Sequence, residues 1–380
     1  MDLRDTPDEH DFRTEVRAWL EANAPPPPHP KRGSEESFEF GRKWHRKLYD
    51  AGYAGLSWPV EHGGRAGSAA QQVIFEEELG RIGAPGLSNH LGIHHVAPAI
   101  MAYGTREQHA RYLPKMLTAE EIWCQGFSEP GAGSDLAGLR TRAVLGGDEF
   151  VVNGQKVWTT WGHLSHWCQL LVRTEPEAPK HKGISCLLVD MHSPGITVRP
   201  LKQISGDSEF NEMFFDDVRV PAANLLGARG EGWMVTMTTL ASERASVLTF
   251  HVRTKKQVRD LAELARERGK EEDPLIRARL GQCAIDAEAL QLFSYWSVSN
   301  RGKTTGLEGS MAKLLWSELQ QRIYETAMDI LGPDATLQSE WLHGLLDSRG
   351  LTVAAGTSEI QKNLLAERAL GLPREPKPAK

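Results

Sequence analysis

Apolar positions recur every three to four residues over 3–23, where Phe12, Val16, Trp19 and Leu20 share one stripe among charges, and this period predicts an amphipathic helix. Pro25 to Pro28 and Pro30 then forbid helix and predict an extended connector. Helical spacing returns over 37–51, through Phe40, Trp44 and Leu48, and again over 68–82, with a Gly-rich loop at 61–67 between them and a Gly-Ala-Pro-Gly stop at 83–86. Residues 106–118 suggest another short helix, interrupted by Pro114. Near Glu121 the period changes. Residues 149–160 read as two β-prone runs joined by Asn153-Gly154, a hairpin signal, and 166–173, 183–191, 196–200 and 209–220 continue as strands. Beyond Gly230 the pattern is helical again, with a break in the charged 267–273 and two strong helices over 307–331 and 358–370. Helices, then strands, then helices predict an α+β fold, not alternating βαβ units. The expected limits are an N-terminal helical domain over 1–120, a middle β-domain over 121–224, a C-terminal helical domain over 225–372 and a disordered tail over 373–380.

Composition narrows the class without naming a function. With 380 residues, 40% apolar and 25% charged, the chain reads as a soluble globular protein of two or three structural units. A formal charge of −6 gives no reason to expect nucleic acid or an anionic membrane as partner. Cys124, Cys168, Cys186 and Cys283 are far apart and form no CxxC pair, so neither a zinc site nor a disulfide framework is indicated. No apolar run reaches the length of a membrane span, and the acidic N-terminus lacks the features of a signal peptide, so the cytoplasm is expected. His90 and His94 stand four apart with His95 beside them, a spacing that suits a metal; no carboxylate nearby completes a set, and the reading preferred is a helix packed near a substrate.

The densest candidate chemistry is CQGFSEPGAGSD at 124–135, with three glycines, two serines and two acids straight after Ile122-Trp123. Such a loop lets backbone N–H groups approach a polar ligand, and an ordinary surface turn has much the same composition. A dinucleotide GxGxxG is absent, because Gly131 and Gly133 are followed by Ser134, Asp135 and Leu136. SEPGAGSD at 128–135, KVWTTWG at 156–162, DDVRVP at 216–221 and AGTSEIQKNLLAERALG at 355–371 together resemble the acyl-CoA dehydrogenase family of flavoproteins, in order and in separation, over nearly the whole chain. Within that family the chain is most similar to the large subunits of bacterial heteromeric members acting on pimeloyl-type dicarboxylyl-CoA or steroid side-chain CoA esters.

The resemblance implies a C-terminal four-helix bundle, FAD as cofactor and an acyl-CoA thioester stacked on the flavin. It implies that Gln125, Phe127 and Ser128 line the flavin ring, and that Gly133 and Ser134 meet the flavin phosphates or the CoA end. Trp158 then presses on the flavin face away from the substrate, Thr160 bonds its N5 region, and Thr357 and Glu359 touch the FAD. Taken without the resemblance, Trp158 reads as a core residue of a hairpin.

In many members a glutamate just before the Gly-Thr of the last block removes the α-proton; here that position is Ala355. A second branch carries its glutamate on a bundle helix before an arginine, which points to Glu243 as the base and Arg244 as its positioning or substrate-binding neighbour. The plain alternative for Glu243 is an exposed helix glutamate, or one paired with Arg301 or another cation. Relatives also lend a neighbour's FAD site an arginine from RxxFG and a glutamine before ILGG. This chain has no RxxFG between 250 and 300, with Arg253 the candidate for the arginine, and Asp329 replaces the glutamine, where it would repel a pyrophosphate. These departures imply an α2β2 assembly with a related small subunit, or else a homo-oligomer. The reaction implied is α,β-dehydrogenation of an acyl-CoA to a trans-2-enoyl-CoA, with electrons passed to an electron-transfer flavoprotein. A flavin monooxygenase or oxidase on the same fold, and a non-catalytic scaffold subunit, remain as alternatives.

Overall fold

The computed structural model describes residues 4–30, 34–246, 249–300 and 307–374, the side chains of 244–246 excepted. Its α+β architecture divides into two compact units that do not follow chain order: one takes residues up to 21, 69–82 and from 243 onward, the other 22–68 and 83–242. Arg301 and the end of the expected tail, 375–380, lie outside the described residues.

The second unit begins with α2 (Glu35–Asp50), capped by Ser34, whose hydroxyl accepts from the Ser37 N–H. α4 (Ala97–Tyr103) and α5 (Arg106–Leu117) follow, and Thr105 and Gln108 close a capping box on α5. Pro114 does not interrupt α5 as its sequence position suggests; the helix continues three residues past it to Leu117, giving up only the one N–H that proline lacks. The sheet then comprises β1 (Trp123–Gly126), β2 (Arg142–Gly146), β3 (Glu149–Thr160), β4 (Trp167–Arg173), β5 (Ile184–Asp190), β6 (Ile196–Pro200), β7 (Phe210–Pro221) and β8 (Leu225–Leu226). Its order is β6-β7-β3-β2-β4-β5-β8, with β1 paired parallel to β4. Strands β4 and β5 are buried on both faces, which is why their sequences are nearly continuous apolar runs. Trp167 and Leu171 meet a helix-facing core with Trp58, Ile100 and Leu113, whereas Cys168, Leu170 and Val172 meet Phe150, Met213 and Val218.

The expected hairpin at Asn153-Gly154 is not a turn. Strand β3 runs straight through both residues, with register shifts after Val152 and after Lys156 against β7. Gly154 is needed for another reason: a Cβ there would lie 2.6 Å from the Thr141 Cα, and its φ is +151°. The true hairpin joins β2 to β3 one turn earlier, around Gly147, at φ +67°.

The other unit contains α1 (Pro7–Asn23), α3 (Ala69–Arg81) and the C-terminal helices α7 (His251–Glu267), α8 (Pro274–Ser299), α9 (Glu308–Leu331), α10 (Glu340–Leu351) and α11 (Ser358–Leu364). α7 and α8 are parted where the charged sequence predicts, and Asp273 caps α8 through the Leu275 and Ile276 N–H groups. Leu261, Ile276, Cys283, Leu319, Ile323 and Ile330 form the bundle core. Within this unit Glu78 is buried among Arg13, Arg17 and Arg81, and Glu77 bonds Arg13 and Tyr295, so a charged network ties α1, α3 and α8 together. α6 (Gly232–Ser246) spans the division in the chain. Among the described residues no helix is long and apolar enough to cross a membrane.

Candidate functional site

In the sheet-bearing unit, the 124–135 loop is held by one buried ion pair. Lys156 of β3 is fully buried; its Nζ donates to Glu129 Oε1 at 2.9 Å and to the Phe127 carbonyl at 3.0 Å. Glu129 also accepts from the N–H groups of Arg140 and Thr141, at 2.7 and 2.8 Å. Burial pulls the Lys156 ammonium down to about 8, while Glu129 pulls it back up. Burial pushes the Glu129 carboxyl up, but Lys156 and the bonds from Thr141 and Arg140 outweigh it and hold the group below its ordinary range. Both members therefore stay charged at neutral pH. Both residues stand inside sequence motifs that assign neither a role; only their meeting across 27 positions reveals the pair.

This anchor leaves the loop's outer half free to face a ligand. Glu129 and Ala132 bond each other's backbones, Ala132 is buried, and Gly131, Gly133, Ser134 and Asp135 are exposed. A Cβ at Gly131 or Gly133 would meet nothing within 4 Å, so both face open space. Asp135 is drawn to Lys180 at 2.6 Å. Gln125 and Phe127 project from the same face of β1 as Trp123, and Phe127 is buried in the helix-facing core. The Ser128 carbonyl accepts from the Val157 N–H at 2.9 Å, which brings the loop against the bulge of β3.

That bulge carries Trp158. It is 59% exposed, unlike the hairpin core residue it reads as without the resemblance, and its φ is +63°, a backbone region that costs a bulky residue roughly 1–2 kcal/mol. Its ring stands edge-on to Phe210, with the centroids 6.0 Å apart. Next to it the Thr159 hydroxyl is buried without a hydrogen-bond partner, and Thr160 is half-buried. Gln125, Phe127, Ser128, Gly133, Ser134, Trp158 and Thr160 are thus gathered on β1, β3 and the loop between them.

In the bundle unit Lys313 of α9 bears on two of the remaining predicted residues, Glu243 and Glu359. Lys313 is 1% exposed, and its Nζ donates to the Gly356 carbonyl at 2.6 Å. Burial lowers its ammonium, and Glu243, Glu359 and Glu318 each pull it back up, which places Glu243 within electrostatic reach of this cation. Glu243 is half-buried near the end of α6; Arg244 continues the helix, and its side chain is outside the described residues. Ala355 is exposed at φ +54°, its carbonyl accepting from Gln361 Nε2 at 2.9 Å. Thr357 caps α11 by accepting from the Ile360 N–H, and Glu359 is exposed, its carboxyl lowered by its own backbone N–H and the Thr357 hydroxyl. Lys313 was missed in the sequence because a lysine in a helix reads as a solvated charge.

Two residues of the assembly argument look different in three dimensions. Asp329 is ion-paired with Arg279, so its charge is locally compensated. Arg253 lies in α7, where its charge bears on Glu76 and Tyr324 of the same unit. Among the described residues no group of three or more His, Cys, Asp or Glu is placed to hold a metal ion.

Family models describing the N-terminal, middle and C-terminal domains of acyl-CoA dehydrogenases match residues 6–120, 124–218 and 230–370. The chain belongs to the acyl-CoA dehydrogenase family. It is 42% identical to acyl-CoA dehydrogenase IpdE1 of Mycobacterium tuberculosis, over 97% of this chain and 99% of that protein. Among solved structures it is similar to the Tcur3481-Tcur3483 steroid ACAD (30% identity, TM-score 0.87, 99% of this chain and 100% of that one). It is also similar to the ChsE4-ChsE5 complex from Mycobacterium tuberculosis (33% identity, TM-score 0.86, 99% and 100%). Acyl-CoA dehydrogenases are flavoprotein oxidoreductases of lipid degradation, and this chain is one of those enzymes. Its residues fit a flavin on one structural test: an exposed indole held against its backbone preference stands next to a buried threonine hydroxyl that lacks a protein partner, an aromatic plate and a polar group suited to a planar, polar-edged ring.

Proposed function

We propose that this acyl-CoA dehydrogenase binds FAD and converts an acyl-CoA thioester to its trans-2-enoyl-CoA, passing electrons to an electron-transfer flavoprotein. The observation that carries the reading is Trp158, a large aromatic kept exposed at a positive φ beside the anchored 124–135 loop. Strain of this kind persists where function needs it. In this reading the backbone of Gln125 and Phe127 and the hydroxyls of Ser128 and Thr160 hold the flavin ring, Trp158 covers one face and excludes water, and Gly133 and Ser134 meet phosphate or the CoA end. Thr357 and Glu359 add contacts to the cofactor. When bound, FAD supplies the acceptor for the hydride that leaves the substrate β-carbon.

Glu243 is the general base. It removes the α-proton, which the thioester acidifies. Lys313 orients the turn 353–357 through the Gly356 carbonyl, and Arg244 is assigned to the acyl-CoA. Ala355, which has no acid or base, takes no part in proton transfer. The Glu243→Gln variant tests the assignment: dehydrogenation falls by at least about 1,000-fold while the bound-flavin spectrum is kept. An unchanged rate overturns it and favours a scaffold role.

The partner is proposed to be a related small subunit in an α2β2 assembly; both structural neighbours are named for two components, Tcur3481 with Tcur3483 and ChsE4 with ChsE5. α8 supports this, with Ile285, Leu292 and Trp296 exposed along one helix.

A further inference from the structure

The bundle unit holds a buried cation whose charge the mechanism leaves unused. On α9 the buried residues Ser310, Lys313, Ser317 and Gln320 follow one another at three- and four-residue steps, so one face of this helix carries polar groups into the interior. Lys313 is the one charged residue among the buried positions of α9. α11, packed against α9, buries Ser358 and Gln361 in turn.

The turn before α11 fixes where the charge of Lys313 sits. Gly356 has φ +86°, and a Cβ there would lie 2.5 Å from Gln361 Nε2, so glycine alone fits. Gln361 Nε2 donates to the Ala355 carbonyl at 2.9 Å, and Thr357 caps α11 through the Ile360 N–H. The Gly356 carbonyl, held between them, accepts from Lys313 Nζ at 2.6 Å. The ammonium is thereby pinned at the start of α11.

That place lies among carboxylates. Glu243 of α6, Glu359 of α11 and Glu318 of α9 all bear on the ammonium, Glu243 most strongly. Glu318 is paired with Lys362 of α11 at 3.2 Å, and Lys362 also draws Glu359, which is exposed. Helices α7, α8 and α10, also packed on α9, add no charge at Lys313 among the described residues. Two of the three carboxylates thus share a second lysine, and the pull of Lys313 falls chiefly on Glu243. A charge kept from water acts on its neighbours more strongly than a solvated one, and a fixed cation favours the ionised form of a carboxylate within its reach.

We propose that Lys313 is a positioning residue for the base: held by the Gly356 carbonyl, its ammonium acts on Glu243 and keeps that carboxylate ionised, ready to take the α-proton. The inference rests on the assignment of Glu243 as the base and deepens it. It gives the turn 353–357, where Ala355 supplies no acid or base, a second purpose, which is to seat the cation that serves the base on α6.

The test uses the FAD-loaded enzyme, with its partner subunit if one is needed. It follows kcat/KM for octanoyl-CoA, pimeloyl-CoA and cyclohexylpropanoyl-CoA between about pH 5 and 9. Lys313→Gln keeps a donor for the Gly356 carbonyl and removes the charge; Lys313→Met, of similar length, replaces it should it not fold. A carboxylate that loses its cation binds its proton more tightly. The acidic limb of the profile is therefore expected to move up by about one pH unit, with a loss of about 10-fold below the limb and rates near the parent's above it. Lys313→Arg, which keeps the charge, is expected to hold the parent's limb. An unmoved limb in Lys313→Gln, or an equal loss at every pH that Lys313→Arg does not restore, overturns the proposal and leaves the lysine a support of the turn. The base reading survives that result if Glu243→Gln loses the reaction. A Glu243→Gln variant that keeps the parent's rate overturns the base reading and the proposal with it, and no oxidation of any ester by the parent does the same.

Discussion

Trp158 is the residue where stability and function pull apart most plainly. Its exposed ring contributes little to the core, and its positive φ favours glycine. Trp158→Gly is therefore expected to leave the chemical-denaturation midpoint within about 1 kcal/mol of the parent, or to raise it, while weakening flavin retention at least 10-fold in equilibrium dialysis. Lys156 presents the opposite case. Its removal would leave Glu129 buried without its cation, a kind of loss that costs about 3–5 kcal/mol. The sequence marked the loop as a candidate ligand cradle; it did not reveal this anchor, because a lysine between Gln155 and Val157 carries no mark of the carboxylate it will meet.

At the scale of elements, β3 shows how a local signal is overridden. Asn-Gly favours a two-residue turn, yet β3 pairs with β7 on both sides of Gly154, and nine register pairs outweigh a local preference. The glycine is needed because the chain at Thr141 passes too close for a side chain. Gly154→Ala is expected to destabilise the protein by about 1–3 kcal/mol through backbone crowding, measured by urea unfolding. A turn at this position would instead tolerate the change with only a small loss. Helix boundaries were more legible: the breaks before Pro274 and after Arg81 follow caps and stops visible in the chain, because those signals act within a few residues. The widened turn at 92–96 was not, since a proline inside a helical pattern marks a disturbance without specifying its form.

For the molecule as a whole, acid should act on the two units in different ranges. His45, buried against α5, donates Nε2–H to the Leu117 carbonyl; burial lowers it to about 4, and His94 and His95 are lowered likewise. A histidine lowered on folding binds its proton more readily when unfolded, so the sheet-bearing unit loses stability as pH falls from 6.5 toward 4. In the bundle unit, burial raises Glu77 and Glu78, but hydrogen bonds to His251, Tyr295 and Arg13 for Glu77, and to Arg17 and Arg81 for Glu78, bring both to about 2. Their contribution is complete above pH 4.5 and is lost as pH falls toward 2. Hydrogen exchange followed by region is expected to show protection lost first around β4 and β5, then in α7 to α9; the reverse order would refute the assignment. Assembly is testable at the same scale. The chain purified alone should carry little FAD and the co-expressed α2β2 complex one per αβ pair, by absorbance against protein mass; full occupancy alone would point to a homo-oligomer.

The sequence by itself determined the α+β class, the order of the three regions and the family, because periodicity and short motifs are properties of neighbouring residues. It also singled out Glu243, Trp158 and the 124–135 loop for chemistry that the structure leaves to experiment. Only the tertiary structure decided that segments 69–82 and 243 onward share one unit, that Lys156 meets Glu129, and that Lys313 holds the turn before Thr357. Each of these joins residues distant in the chain through burial, and burial is set by how helices and strands pack.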